Sequence, residues 1–275
     1  MTENANRLTD SADVAVDSTS RPDDSADVAA DGVLRYLLTF SYDGTDYHGW
    51  QIQPNGMTVQ ERLQTALSTL LRQDITVTGA GRTDTGVHAR TMTAHFDFSK
   101  TLDCRQLVYK LNRLLPRDVA VSRAEQVNPE LHARFSAKSR TYHYYVHQQK
   151  DPFRRHYSCE LHYDLDFERM NEAAAHLLSV SDFKAFCKTH TDVKTTICQV
   201  TEARWISDAP GCWHFRITAN RFLRNMVRAV VGTLIEVGRG RLSLEAFDAV
   251  VEGRNRSDAG ESMPANALFL EDIKY

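Results

Sequence analysis

From Val33 onward, apolar residues fall at the spacings of strands and helices in a regular order. Leu34-Arg35-Tyr36-Leu37-Leu38-Thr39-Phe40-Ser41-Tyr42 is strand-like, and Asp43-Gly44-Thr45 closes it as a turn. Thr58 followed three residues later by Glu61 forms a capping box, and Leu63, Leu67, Leu70 and Leu71 give the ensuing helix its apolar stripe. β-branched residues predict a strand over 75–78, and alternation predicts another over 92–98. A second helix is expected over 103–115, with Leu107, Leu111, Leu114 and Leu115 on one side; Val119, Val121 and Val127 then mark a strand.

This β-α-β-β-α-β order is the split arrangement shared by ferredoxin-like and RNA-recognition modules. A looser echo follows. Strands are expected at 140–147, 197–206, 213–218 and 267–273, and helices at 167–178, 222–237 and, shorter, 244–251. The expectation is an α+β fold of two related halves, 32–130 and 131–275, joined near 128–139. They would share a mixed, mostly antiparallel sheet with helices on one face and a central cleft. Residues 1–31 hold almost no large apolar side chain and repeat Asp-Ser-Ala-Asp-Val-Ala at Asp10 and at Asp24, which reads as a disordered acidic tail.

Composition narrows the class. The chain has 275 residues, 42% hydrophobic and 25% charged, an ordinary globular balance. No run approaches the roughly 18 apolar residues of a membrane span. The N-terminal residues have neither the order of a secretory signal nor the acid-poor character of a transit peptide. Five cysteines without a C-x-x-C pair read as reduced thiols, so a cytoplasmic protein is expected. The net charge of −3 is uneven: residues 1–31 carry eight acids and two bases, which leaves the remainder at +3. A mildly basic body permits nucleic-acid binding.

The densest candidate chemistry is Gly79-Ala80-Gly81-Arg82-Thr83-Asp84-Thr85-Gly86-Val87-His88-Ala89-Arg90. A strand that stops at clustered glycines hands over to a loop where backbone can approach a ligand. The loop lacks the third glycine of a dinucleotide fingerprint and the Gly-Lys-Ser/Thr step of a P-loop. On spacing alone, a turn in which Arg82 and Asp84 merely pair reads as well as a catalytic loop. His143 and His147 would share one strand face, but no third ligand has suitable spacing, so no metal is expected.

Gly-Arg-Thr-Asp-Thr-Gly-Val-His-Ala closely resembles the signature of the tRNA pseudouridine synthase A family. Further stretches resemble family blocks in family order: Tyr42-Asp43-Gly44-Thr45, Gly49-Trp50-Gln51, His132-Ala133-Arg134-Phe135-Ser136-Ala137, Tyr142-His143-Tyr144, Phe222 to Arg228, and Pro264 to Leu270. They cover nearly everything from Val33 to Tyr275. The resemblance implies that Asp84 is a nucleophile forming a reversible covalent bond with a uridine. It implies that Arg228 is the ion-pair partner keeping Asp84 charged and that Tyr142 packs against the target base. Leu268 would line the uracil pocket, within a segment that reads Ala267-Leu268-Phe269-Leu270 where the family has Gly-Leu-Tyr-Leu. Arg82 would contact RNA near a flipped nucleotide.

Arg221, Arg224 and Arg228 fall at i, i+3 and i+7 of the expected helix, on one face. Lys110, Arg113, Arg117, Arg134, Lys138 and Arg140 would supply phosphate contacts if they share a face. The implied reaction is isomerisation of uridine at positions 38, 39 and 40 of the anticodon stem-loop, without a cofactor, by a homodimer. A non-catalytic tRNA-binding or tRNA-folding protein, or a synthase for another RNA, would carry many of the same features.

Overall fold

A computed structural model describes residues 32–189 and 193–275. The acidic segment 1–31, with its expected disorder, lies outside the described residues. Local chemistry starts most helices. The Thr58 hydroxyl accepts the Glu61 amide ahead of α1 (Val59–Leu71), and the Asp103 carboxylate accepts the Arg105 and Gln106 amides ahead of α2 (Cys104–Leu114). Asp166 and Ser243 do the same for α3 (Phe167–His176) and α5 (Leu244–Gly253). α4 (Met226–Gly238) has no side-chain cap and begins after Asn225, whose φ is +66°. Asn tolerates that left-handed conformation better than most residues.

The strands are β1 (Leu34–Tyr42), β2 (Thr78–Gly79), β3 (His88–Phe98), β4 (Val119–Val127), β5 (Ser139–His147), β6 (Cys159–Glu160), β7 (Val200–Ala209), β8 (Cys212–Ala219) and β9 (Leu268–Lys274). They form one open sheet in the order β4-β1-β3-β9-β5-β8-β7, with β2 beside β3 and β6 beside β5. The fold is α+β and the sheet is mixed. Its parallel pairs are β3 with β9 and β5 with β6; the other pairs are antiparallel.

Two hydrophobic clusters occupy the sheet. In one, Tyr36, Leu38 and Phe40 of β1 meet Leu63 and Leu67 of α1 and Leu107 and Leu111 of α2. In the other, Tyr144, Trp205 and Phe215 of β5, β7 and β8 meet Met170, Val230 and Phe247 of the three later helices. Tyr142 packs against both clusters, and β9 supplies Leu268 to one and Leu270 to the other. The direct join of β3 to β9 spans only His88↔Phe269 and Ala89↔Leu270. Residues 80–87 emerge beside that short join.

Two elements differ from expectation. The strand expected over 75–78 is reduced to Thr78–Gly79. Side chains of α1 take the backbone groups that a strand neighbour would have taken. Ser68 Oγ accepts the Ile75 amide, Gln64 Oε1 accepts the Val77 amide, and Gln60 Nε2 donates to the Val77 carbonyl. The helix expected from 222 begins only at Met226, so Arg221 and Arg224 precede it and the three-arginine helix face does not exist.

Candidate active site

Asp84 sits on a loop held chiefly through its backbone. The Ala80 amide donates to Thr93 O, the Trp50 amide to Thr83 O, the Gly86 amide to Tyr47 O, and the Val87 amide to Asp84 O. Tyr42 and Thr83 share a buried hydroxyl–hydroxyl hydrogen bond of 2.8 Å. Two glycines let residues 42–50 lie flush on the loop. A Cβ on Gly44 would stand 2.1 Å from Val87 O, and one on Gly49, where φ is +85°, 2.4 Å from Thr83 O.

His88 closes the far end. Its Nδ1 lies 2.9 Å from the Gly44 amide nitrogen and 3.0 Å from Asp43 Oδ1, and its Nε2 lies 3.0 Å from Asn266 O; in the neutral Nε2–H tautomer Nδ1 accepts from Gly44 and Nε2 donates to Asn266 O. Burial lowers the His88 pKa, which keeps this neutral tautomer; Asp43 opposes the shift only in part. One imidazole therefore ties the turn after β1, the end of the loop and the approach to Leu268.

The second half brings its side chains from three segments. Arg228 Nη1 lies 3.6 Å from Asp84 Oδ2, and Arg224 Nε lies 3.7 Å from Oδ1. Arg228 is aimed by a bond from its Nε to Met263 O. Both contacts are longer than the 2.7–2.9 Å of a charge-assisted hydrogen bond. The arginines thus set two positive charges beside the carboxylate without closing short hydrogen bonds to it. Side-chain exposure is 27% for Asp84, 21% for Arg228 and 59% for Arg224, so Asp84 and Arg228 are partly buried and Arg224 is exposed.

Tyr142 packs edge-on against Phe222, with ring centroids 5.0 Å apart. Burial, and then the Asp84 carboxylate, push its phenol well above the ordinary tyrosine value, so it stays protonated; Arg140 offsets part of this. The pairs Tyr142↔Leu270 and Tyr144↔Leu268 set buried Leu268 one strand away from the tyrosines.

Of the residues read from the sequence, Asp84 and Arg228 come together, with Tyr142 near enough to sense the carboxylate and Leu268 on the neighbouring strand. Arg82 is exposed and is not among the ion-pair partners of Asp84, which removes the simple Arg82–Asp84 turn as a description of this loop. Arg90 turns to Glu271, 3.2 Å away, and to the Phe269 ring. A bulge explains this: Met92 opposes Phe40 but Ala89 opposes Tyr42, which re-aims the start of β3. Lys110, Arg113, Arg117, Arg134 and Lys138 are exposed, whereas Arg140 turns inward onto backbone carbonyls and is unavailable to phosphate.

Sequence reasoning missed the second ion-pair partner, Arg224, and the clamp of Tyr42, Gly44, Gly49 and His88. The clamp residues all lie in stretches whose residue types were legible although their contacts were not. Among the described residues, no group of three His, Cys, Asp or Glu side chains is placed to hold a metal, and no helix is long and apolar enough to cross a membrane.

The tRNA pseudouridine synthase family model matches residues 38–136 and 173–275. The chain is 54% identical over 244 residues to a protein of Bacteroides fragilis named tRNA pseudouridine synthase A, covering 88% of this chain and 97% of that one. It is 56% identical over 243 residues to the protein of that name from Bacteroides thetaiotaomicron, with 88% and 90% covered. A more distant relative of the same name, from Bacillus subtilis, is 39% identical over 246 residues, with 88% and 99% covered. With its matched blocks spanning both halves of the sheet and meeting at Asp84, the chain belongs to the tRNA pseudouridine synthase family.

Proposed function

We propose that this protein is an isomerase that converts uridine to pseudouridine in tRNA, with Asp84 as the nucleophile. The observation that carries the reading is Asp84 held between Arg228 and Arg224 at 3.6 and 3.7 Å beside the half-buried Tyr142. In the reaction the bond between uracil N1 and ribose C1′ breaks, the base turns, and a bond from C5 to C1′ forms. The C5 proton leaves and N1 ends protonated, so atoms and charge balance without an oxidant or group donor. Asp84 supplies the reversible covalent bond that holds the nucleotide through the turn. Arg228 supplies the opposite charge 3.6 Å from the carboxylate. Tyr142 and Leu268 form the walls against which a flipped base packs, a contact worth about 1–3 kcal/mol per stacked base.

The substrate region is the anticodon stem-loop, at positions 38, 39 and 40, and the working form is a cytoplasmic homodimer. Exposed Arg82, with Arg134 and Lys138, supplies backbone contacts to the RNA. Because Asp84 comes from the half 32–130 and Tyr142, Arg228 and Leu268 from the half 131–275, neither half alone is active.

Tritium release from tRNA labelled at uracil C5 tests the reading. The unmodified protein releases tritium. Asp84→Asn, which removes the nucleophile with little change in shape, loses roughly a thousandfold or more of the rate while tRNA affinity stays near normal. Full activity in Asp84→Asn would sink the mechanism; binding without release by the unmodified protein would favour a non-catalytic tRNA-binding role. Loss of modified sites only outside the anticodon arm, in cells lacking the protein, would move the substrate to another RNA.

A further inference from the structure

Arg140, near the start of β5, spends its guanidinium on four backbone carbonyls. Nη1 donates to Ala137 O at 3.0 Å and to Asn220 O at 2.8 Å. Nη2 donates to Ala80 O at 2.9 Å and to Arg134 O. These carbonyls belong to three separate segments. Ala80 lies four residues before Asp84. Arg134 and Ala137 lie in the stretch joining the halves, and Asn220 begins the turn that delivers Arg224 and Arg228. Arg140 is also two residues from Tyr142, hence on the same face of β5.

A half-buried guanidinium is costly to desolvate unless it is paired, and among the described residues no carboxylate pairs with Arg140. Its burial calls for another account, and its geometry gives one. A planar fork with fixed N–H directions holds several carbonyls at set angles, which a flexible ammonium cannot do. We infer that Arg140 is a positioning residue that locks the Asp84 loop of one half to the arginine-bearing turn of the other and so sets the Asp84–Arg228 separation. This rests on the proposed isomerase reading for its kinetic consequence, and on the hydrogen bonds alone for its structural one.

Arg140→Lys and Arg140→Gln test it, with Arg35→Lys as a matched control. Arg35 also joins a side chain, Asp97, to a carbonyl, Leu131 O, but touches none of the site residues. Arg140→Lys is expected to lower kcat for tritium release at least about tenfold, with KM for tRNA within about threefold and the protein folded; Arg140→Gln falls at least as far. Arg35→Lys leaves kcat within about twofold. Amide hydrogen exchange is read on the same proteins. Arg140→Lys should speed exchange over 79–87 and 220–228 while β1 and β4 stay as in the parent. An unchanged kcat, a loss matched by Arg35→Lys, or a raised KM with intact kcat would overturn the inference. So would unaltered exchange in those two segments. If the unmodified protein released no tritium, the isomerase reading would fail, and the exchange measurement would still decide the role of Arg140.

Discussion

The two halves of the sheet furnish one pocket by different means. The first half contributes Asp84 from a loop without regular structure, fixed by main-chain hydrogen bonds and by two glycines that let residues 42–50 touch it. The second half contributes Tyr142 and Leu268 from strands and Arg228 from a helix, each positioned by an element that would form regardless of the site. A loop held by close backbone contact cannot absorb an added carbon, whereas a helix or strand can exchange side chains and keep its path. The first half should therefore be sensitive at residues that never meet substrate, and the second mainly at those that do, with Arg140 the exception because it reaches across to Ala80 of the first-half loop.

The largest effect after that of Asp84→Asn is expected in the second half, at Arg228→Gln. Asp84 would keep Arg224, but that cation is exposed and screened, so the carboxylate loses its principal recessed partner. By analogy with removal of one preorganised donor, kcat should fall about 10²–10³-fold while tRNA affinity changes little. An Arg228→Gln protein with parental kcat would remove electrostatic support from the account of the second half.

Gly49→Ala probes the first half with a residue outside the chemistry. Its Cβ would stand 2.4 Å from Thr83 O at a φ of +85°, so the Thr83–Asp84 peptide must shift or residues 42–50 must lift. Stability should drop by about 1–3 kcal/mol and kcat by about 10–100-fold, in keeping with a displacement near 1 Å at the reacting group. Tyr42→Phe removes only the hydroxyl that bonds Thr83; a cost of about 1 kcal/mol and less than tenfold in kcat is expected. Melting curves with kinetics on both variants measure this. If Gly49→Ala were as mild as Tyr42→Phe, the loop would be more compliant than its contacts imply.

What the sequence disclosed follows the same divide. Element order was legible because burial repeats at periods of two and 3.6: β1, α1, α2, β4, β5 and α3 all stand close to where the pattern puts them. The late start of α4 was not legible, because Phe222-Leu223-Arg224 continues the helical pattern and only the left-handed Asn225 breaks it. Residues 75–78 have strand composition, yet side chains from α1 take their hydrogen bonds, a tertiary effect that propensity does not register. Asp84 stood out by its glycine setting, but its partners came from family resemblance, since no periodicity links residue 84 to 142, 228 or 268. Arg140 read as a phosphate contact because sequence does not show which way a guanidinium turns.

The effect with the least expected change in kcat separates the halves by acid. His95 in the first half and His143 in the second both have pKa values lowered to about 4 from an ordinary 6.5, chiefly by burial. For His95, Arg35 and His132 add to the shift; for His143, His214, Arg216 and Arg90 do so. The unfolded chain takes up protons on both residues below about pH 6.5 and the folded chain does not until near pH 4. Folding stability is therefore intact above 6.5 and falls as pH drops through that window, by up to about 2 kcal/mol per histidine at pH 5. The consequences differ. Nδ1 of His95 accepts the Ala133 amide, so replacing it removes a hydrogen bond between β3 and the segment joining the halves. Nε2 of His143 is buried without a partner while Nδ1 shares a 3.2 Å hydrogen bond with the Tyr145 hydroxyl, so His143→Phe removes one unpaired polar atom together with one side-chain hydrogen bond. Melting temperature followed from pH 7.5 to 5 should decline in the parent and decline less in His143→Phe, with little change at neutral pH, where the lost bond to Tyr145 is offset by removal of the unpaired Nε2. His95→Phe should flatten the acid decline equally but start from a lower melting temperature. A parent whose melting temperature is flat across that range would show that neither histidine is held neutral by the fold.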